Sequence, residues 1–222
     1  FEMYKDNAVC ANGAMYRKDV RGFLPELMEL IYDERKIYKK KMLAAKQAYE
    51  KTPTKKLEKE IARCNNIQMA RKIQLNSAYG AIGNQYFRYY KLANAEAITL
   101  SGQVSIRWIE NRMNGYLNKL LQTESVDYVI ASDTDSIYLN LGPLVDKFLS
   151  SRSGDKTKVV ELLDKVCQDK LEPFIERSYS ELANYVQAYE QKMIMKRENI
   201  AERGIWTAKK RYILNVWNSE GV

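Results

Sequence analysis

The stretch that decides the fold is VDYVIASDTDSIYLNL, residues 126–141. Two strand-like runs, Val126–Ala131 and Ile137–Leu141, flank a short polar segment that carries Asp133 and Asp135. A strand–turn–strand with two carboxylates at its tip can hold divalent metal ions, as in many phosphoryl-transfer enzymes. The same composition is also typical of a simple capped β-turn. The apolar run before the turn favours the metal site, because two neighbouring acids there repel each other unless a cation or donor lies between them.

The composition indicates a soluble intracellular protein with enough apolar residues for a packed core. The chain has 222 residues, 45% of them apolar, which suits one domain or a domain with a subdomain. It contains no apolar run of about 18 residues, and its first residues lack the pattern of a signal peptide. The cysteines, Cys10, Cys64 and Cys167, have neither zinc-type spacing nor the pattern of a disulfide framework.

The absence of histidine and the positive charge restrict the chemistry. Without histidine, Ser–His triads and His-ligated metals are excluded, so a metal site must use oxygen ligands and favours magnesium, manganese or calcium over zinc. The chain has 36 Lys and Arg residues against 28 Asp and Glu residues, a net charge of +8, and a pI near 9.2. This balance indicates a polyanionic partner such as nucleic acid, although a merely basic soluble protein would show the same charge.

The hydrophobic periodicity predicts an α+β fold that includes a helical hairpin. Apolar residues recur at threes and fours over about Glu26–Glu50, a break follows at Thr52-Pro53-Thr54, and a second helix is predicted over about Lys55–Ser77. We expect these two helices to form a projecting antiparallel pair, because little else nearby in sequence could bury both. Further helices, predicted over about Asn94–Leu121 and Lys158–Tyr185, alternate with strands. The pattern predicts a largely antiparallel sheet packed by helices.

Basic and polar side chains share faces of the two paired helices. Lys72, Asn76 and Tyr79 are spaced at i, i+4 and i+7 on the second helix, and Arg35 and Lys39 at i and i+4 on the first. An ammonium, a carboxamide and a tyrosine ring along one face could follow a nucleotide from phosphate to base. Arg35 could add a bidentate phosphate contact. For each helix taken alone, a solvated polar face is the simpler interpretation.

Two final strand-like runs, Lys192–Ala201 and Trp206–Trp217, carry further charged residues. Lys209-Lys210-Arg211-Tyr212 lies in the second run, where strand alternation would divide its side chains between two faces. Such a strand could grip a nucleic-acid backbone, or it could be an edge strand protected by charge. Glu198, in the first run, is a candidate third acid for the metal site.

Three of these stretches resemble motifs of the family B DNA polymerases, in particular the replicative polymerases of large tailed bacteriophages. They are, in the family's order, Lys72-Ile73-Gln74-Leu75-Asn76-Ser77-Ala78-Tyr79-Gly80, Ser132-Asp133-Thr134-Asp135-Ser136 and Lys209-Lys210-Arg211-Tyr212. Four shorter stretches add to the match: Arg35-Lys36, Phe87-Arg88-Tyr89-Tyr90, Gly102-Gln103 and Arg197-Glu198. The resemblance covers essentially the whole chain, and three ordered motifs make it specific.

The resemblance implies a DNA-directed DNA polymerase, a nucleotidyltransferase of DNA replication that adds a dNTP to a primer 3′-hydroxyl by two-metal phosphoryl transfer. The implied cofactor is a pair of Mg²⁺ ions, for which Mn²⁺ can substitute. The implied catalytic, metal-binding residues are Asp133 and Asp135, with Glu198 as a candidate third ligand. The implied dNTP-binding residues are Arg35, Lys39, Lys72, Asn76 and Tyr79. The implied DNA-binding residues are Lys209, Lys210, Arg211 and Tyr212.

The resemblance also implies domains and partners. Residues 25–83 would be the fingers, and residues 1–24 and 84–222 parts of the palm. The family's first palm motif, exonuclease domain and thumb are not in this sequence, so we expect them on a separate chain or in a longer protein, and we expect the isolated chain to be inactive. The implied partners are these missing parts, primer–template DNA, dNTP and a sliding clamp, in the cytoplasm of a bacterial host.

A second hypothesis comes from another functional class. A non-catalytic nucleic-acid-binding or assembly subunit on a polymerase-like fold would suit the charge and the basic helices equally well. The presence of both acids and of Lys72, Asn76 and Tyr79 argues against it, because a binding module has no need of them.

Overall fold

The computed structural model describes residues 5–148 and 155–219. Its helices are α1 (Phe23–Lys51), α2 (Lys55–Ile82), α3 (Leu92–Leu121), α4 (Gly142–Phe148), α5 (Lys156–Val166) and α6 (Glu172–Tyr185). Its strands are β1 (Asn7–Val9), β2 (Met15–Arg17), β3 (Val129–Asp133), β4 (Ser136–Leu139), β5 (Asn199–Ala208) and β6 (Arg211–Ser219). A π-helical turn, Cys167–Leu171, joins α5 to α6. None of the described helices is long and apolar enough to cross a membrane.

The architecture is α+β, as the sequence predicts. In the described part of the chain, however, the strands form three separate two-stranded ladders instead of one continuous sheet. The ladders β3–β4 and β5–β6 are antiparallel hairpins of neighbouring strands. A separate hairpin leaves free edges, so each ladder depends on side-chain packing for its position.

The chain divides into two compact units, one formed mainly by Asn12–Ile98 and the other mainly by Thr99–Val222. The first contains α1 and α2 as an antiparallel pair, since Glu34 of α1 forms an ion pair with Arg71 of α2, while Arg63 lies over the ring of Tyr38. The predicted break between the helices ends at the N-cap of α2, where the Thr54 hydroxyl accepts the Leu57 amide at 3.3 Å.

The core of the second unit is built on α3. Ile109, Met113, Leu117 and Leu121 recur every four residues and are buried, so they form one stripe of the helix. This stripe packs with apolar residues of α5, the π-helical turn and α6 in a single cluster. Tyr128 and Val129 belong to the same cluster, which brings the entrance of β3 onto the core.

Several predicted elements differ from the structure, among them the run Trp206–Trp217, which contains a hairpin loop. The helix predicted over Lys158–Tyr185 is interrupted by the π-helical turn, where one extra residue per turn changes the face that each side chain presents. The strand predicted over Lys192–Ala201 begins only at Asn199, so the residues before it form an irregular segment. That segment has the apolar residues of a strand but no backbone partner in a ladder.

Candidate functional site

The loop of the β3–β4 hairpin carries the two acids, and we call Asp133–Ser136 the carboxylate turn. Asp133 pairs with Ser136 at the end of the ladder, which leaves Thr134 and Asp135 as loop residues. Thr134 has φ 57°, the left-handed value that a two-residue hairpin loop needs at its first position. The Asp135 amide donates to the Asp133 carbonyl at 2.6 Å, and the Thr134 hydroxyl donates to Asp133 Oδ1 at 2.9 Å. The structure therefore contains the predicted strand–turn–strand.

Two asparagines of α3 hold the chain just before β3. Asn114 Oδ1 accepts the amides of Tyr128 and Val129, both at 2.9 Å. One turn further along α3, Asn118 Oδ1 accepts the Val126 amide at 3.0 Å and its Nδ2 donates to the Val126 carbonyl at 2.7 Å. The strand that ends in the carboxylate turn is thus fixed at its start by side chains of the core helix. Neither asparagine is among the predicted site residues, although two asparagines at i and i+4 of one helix were an available signal.

The segment Lys209–Tyr212 is not wholly a strand, so the predicted alternation of its side chains is wrong for the lysines. Ala208 pairs with Arg211, which makes Lys209 and Lys210 the two-residue loop of the β5–β6 hairpin. Lys210 has φ 61°. The sequence contains no signal for this loop, because two-residue hairpin loops usually contain Asn, Asp or Gly. We call Ala208–Arg211 the lysine turn.

The lysine turn and the carboxylate turn meet. Lys210 Nζ lies 3.9 Å from Asp133 Oδ1. Below this contact, Tyr138 of β4 packs edge-to-face against Trp206 and Tyr212, with ring centroids 5.3 and 5.5 Å apart. Burial, together with the neighbouring Tyr212, raises the pKa of Tyr138 to about 12, so this hydroxyl stays neutral at physiological pH. Strands from distant parts of the sequence therefore place a cation beside the acids.

Helix α6 contributes a buried tyrosine close to the carboxylate turn. Tyr179 is 3% exposed, and burial raises its pKa to about 12, with a further contribution from the negative charge of Asp135. The Asp135 side chain therefore lies near enough to Tyr179 for its charge to act on that hydroxyl, although Asp135 itself is exposed to water.

Glu198 does not lie in a strand as expected, but in the exposed segment directly before β5. Its neighbour Arg197 is anchored instead: the Arg197 guanidinium bonds Asp164 of α5 and Asn218 of β6, and its amide donates to Glu172 Oε1 at 3.2 Å. These contacts fix the base of the β5–β6 hairpin to α5 and α6. Glu198 itself remains a predicted metal ligand.

The donor chemistry of the carboxylate turn fits magnesium. Asp133 and Asp135 offer only oxygen ligands, which Mg²⁺ prefers. The described residues include no group of three Asp, Glu or Cys side chains that could hold a metal by themselves. Mg²⁺ commonly keeps several waters and is bound by one or two carboxylates together with substrate phosphates, so two acids suffice for a partial site.

The predicted nucleotide-binding residues lie on the helical pair of the other unit. Arg35 and Lys39 lie on α1, and Lys72, Asn76 and Tyr79 lie on α2. The carboxylate of Glu34 grips the guanidinium of Arg71 through both oxygens, at 2.7 and 3.0 Å. This pair brings the segment with Arg35 beside the segment with Lys72. The side chains of Lys72, Asn76 and Tyr79 are exposed, and Arg35 Nε is buried without a hydrogen-bond partner.

Comparison with known sequences decides the family. The sequence model of DNA polymerase family B matches residues 3–159, a span that includes the helical pair and the carboxylate turn. The chain belongs to DNA polymerase family B. The lysine turn lies beyond the matched span of this family B chain.

Three relatives illustrate the similarity of this family B chain. It is 35% identical to the DNA-directed DNA polymerase of Escherichia phage RB69, over 95% of this chain and 29% of the phage protein. It is 34% identical to the DNA-directed DNA polymerase of Enterobacteria phage T4, over 94% of this chain and 29% of that protein. A DNA polymerase of Pyrococcus glycovorans is 28% identical over 89% of this chain and 20% of its own length. The chain thus spans less than a third of the phage relatives that it matches.

Proposed function

We propose that this chain is the palm-and-fingers part of a DNA-directed DNA polymerase and takes part in template-directed addition of dNTP to a primer 3′-hydroxyl. The observation that carries this proposal is the contact between the lysine turn and the carboxylate turn, where Lys210 Nζ lies 3.9 Å from Asp133 Oδ1. The chain that makes this contact belongs to family B. A cation beside two acids suits a site where a negatively charged strand end must approach a metal-binding turn. Residues 25–83 are assigned to the fingers, and residues 1–24 and 84–222 to the palm.

The carboxylate turn would supply the chemical centre. Asp135, with Asp133 beside it, would hold two Mg²⁺ ions, which when bound neutralise charge on the attacking and leaving oxygens. The remaining contribution of these residues is positional. The two-residue loop keeps both carboxylates at one end of a strand that α3 anchors at its other end. A rigid, pre-oriented pair of acids needs little reorganisation when substrate arrives.

The helical pair would hold the incoming nucleotide. Arg35, Lys39 and Lys72 would bind the triphosphate, where the planar guanidinium of Arg35 could make a bidentate phosphate contact. Asn76 and Tyr79, further along the exposed face of α2, would line the pocket of the nascent base pair. The Glu34–Arg71 pair would keep α1 and α2 in register, so that cations from both helices serve one ligand.

The proposed partners follow from the family and from the length of its members. They are primer–template DNA at Lys209, Lys210, Arg211 and Tyr212, dNTP, the polymerase parts that carry the first palm motif, the exonuclease and the thumb, and a sliding clamp. The phage relatives support a bacterial host cytoplasm as the place of action. Without the first palm motif, the chain alone would bind dNTP weakly and would extend primers poorly or not at all.

Asp135→Asn in the complete polymerase that contains this chain tests the proposal. Primer extension should fall on the order of 1,000-fold, because a preorganised charge at the reacting centre is lost, while affinity for primer–template stays within about twofold. Asp146→Asn, which removes the same charge from an exposed position of α4, serves as the control and should extend primers normally. Extension by Asp135→Asn at the control rate would refute the proposal. DNA binding without extension by the unmodified complete protein would instead indicate the non-catalytic subunit.

A further inference from the structure

Tyr138 contacts the supports of both functional turns. It lies on β4 between Ile137 and Leu139, which pack against the core, so its ring leaves the opposite face of the strand. On that face its centroid lies 5.3 Å from that of Trp206 and 5.5 Å from that of Tyr212. Tyr138 belongs to the β3–β4 hairpin, whereas its two aromatic partners belong to the β5–β6 hairpin. The ring contacts therefore join the two hairpins.

The two partners stand directly beneath the lysine turn. Trp206 and Tyr212 face each other across β5–β6, and the next cross-strand pair, Ala208 and Arg211, closes the loop that displays the lysines. Gly204 lies under the Trp206 ring: a Cβ at this position would be 2.6 Å from Cη2 of Trp206. The indole therefore occupies the space that a side chain at position 204 would need, and it lies between the lysine turn and Tyr138.

On its other side, Tyr138 reaches the carboxylate turn. Ser136 lies two residues away on the same face of β4 and pairs with Asp133 across the hairpin. The Ser136 hydroxyl donates to the Asp133 carbonyl at 3.1 Å. The side chains of Ser136 and Tyr212 both lie close enough to the Tyr138 hydroxyl to act on its pKa. Tyr138 thus lies between the residue that closes the acid-bearing loop and the aromatic pair below the lysines.

We propose that Tyr138 is a positioning residue that couples the lysine turn to the carboxylate turn, so that contact of DNA with Lys209 and Lys210 sets the positions of Asp133 and Asp135. This proposal deepens the proposed function and rests on it. A residue that merely packs would affect stability alone. A coupling residue also decides whether a change at one turn reaches the other.

The first experiment needs no DNA. Gly204→Ala displaces the Trp206 ring, and the backbone amide resonance of Asp135 in the full chain reports whether the displacement reaches the carboxylate turn. We expect a clear shift of that resonance when Tyr138 is present, and a shift at least about fivefold smaller in a Tyr138→Leu background. Tyr138→Phe, which keeps the ring and loses only the hydroxyl, should give an intermediate shift and covers the case in which Tyr138→Leu does not fold. The control background is Tyr116→Phe, which retains the ring stacked on Phe174. In this background, Gly204→Ala should shift the Asp135 amide resonance as much as it does in the otherwise unaltered chain.

The second experiment repeats the measurement with a primer–template duplex in place of Gly204→Ala. Equal shifts in the Tyr138, Tyr138→Phe and Tyr138→Leu backgrounds, with either perturbation, would overturn the coupling. If the duplex leaves all resonances of the unaltered chain unchanged but Gly204→Ala acts through Tyr138, the proposed DNA contact fails while the coupling between the turns stands. The two failures are therefore distinguishable.

Discussion

Lys210 Nζ lies 3.9 Å from Asp133 Oδ1, so the loops of two hairpins that are distant in sequence meet at one point. The side chains are 67% and 37% exposed. An ion pair so open to water contributes little to stability. Its importance is positional, because it brings a cation beside the acids, where the proposed primer end would arrive.

We predict that Lys210→Gln weakens DNA binding through the loss of one phosphate-directed charge. The slope of log affinity against log salt should decrease by about one unit, since one fewer counterion is released. Fluorescence anisotropy of a labelled primer–template at several salt concentrations measures the slope. Lys165→Gln removes the same charge from the exposed end of α5 and should leave the slope unchanged. Equal slopes for the two variants would contradict a DNA contact at the lysine turn.

Arg197→Met should destabilise the second unit by about 3 kcal/mol, because it leaves Asp164 without its partner in a largely buried setting. The Arg197 side chain is only 12% exposed and joins α5 to β6, while the backbone amide of the same residue donates to Glu172 of α6. Urea denaturation monitored by circular dichroism gives the free energy of unfolding. The exposed Arg177 of α6 offers a matched control, and Arg177→Met should change stability by no more than about 0.5 kcal/mol. A small effect at Arg197 would show that the hairpin base is held by other contacts.

The hydrogen bonds of Asn114 predict a local defect at the start of β3 when this residue is changed. Asn114→Ala removes the acceptor of two amides, Tyr128 and Val129, and should cost about 2–4 kcal/mol in stability. Hydrogen exchange should speed up at these two amides more than elsewhere in the core. Asn111→Ala, at an exposed position of the same helix, should leave both rates unchanged. Uniform acceleration over the whole unit would instead indicate a general loss of packing.

A fourth prediction concerns pH and the buried thiol of Cys167. Burial raises its pKa from 9.0 to about 11. The unfolded chain therefore ionises this thiol at lower pH than the folded chain does, so its contribution to stability is complete below about pH 9 and is lost as pH rises toward 11. Between those values, stability should fall about 1.4 kcal/mol per pH unit more steeply in the unaltered chain than in Cys167→Ala. Parallel stability curves from denaturation at pH 8 to 11 would contradict this assignment.

Local patterns in the sequence were enough for several elements. The helical pair follows from hydrophobic periodicity, and the break in it follows from Thr54, which caps α2. The carboxylate hairpin follows from two apolar runs around a polar loop. Each of these features depends on interactions between near neighbours in the chain. The lysine turn was missed because Lys209 and Lys210 carry no turn signal. The loop forms because the flanking strands pair, with Trp206 opposite Tyr212. Strand pairing of this kind depends on how the side chains pack in the folded protein.

The sequence by itself determined the family, the α+β class and the residue types of the site: two acids in a hairpin loop, a basic pair beyond them, and a cationic face on a helical hairpin. These features depend on local periodicity and on ordered motifs. Only the tertiary structure decided that Lys210 meets Asp133, that Tyr138 lies between their supports, and that Glu198 stands outside a strand. Such relations depend on which side chains pack together from distant segments, and that packing is selected by the burial of the whole core.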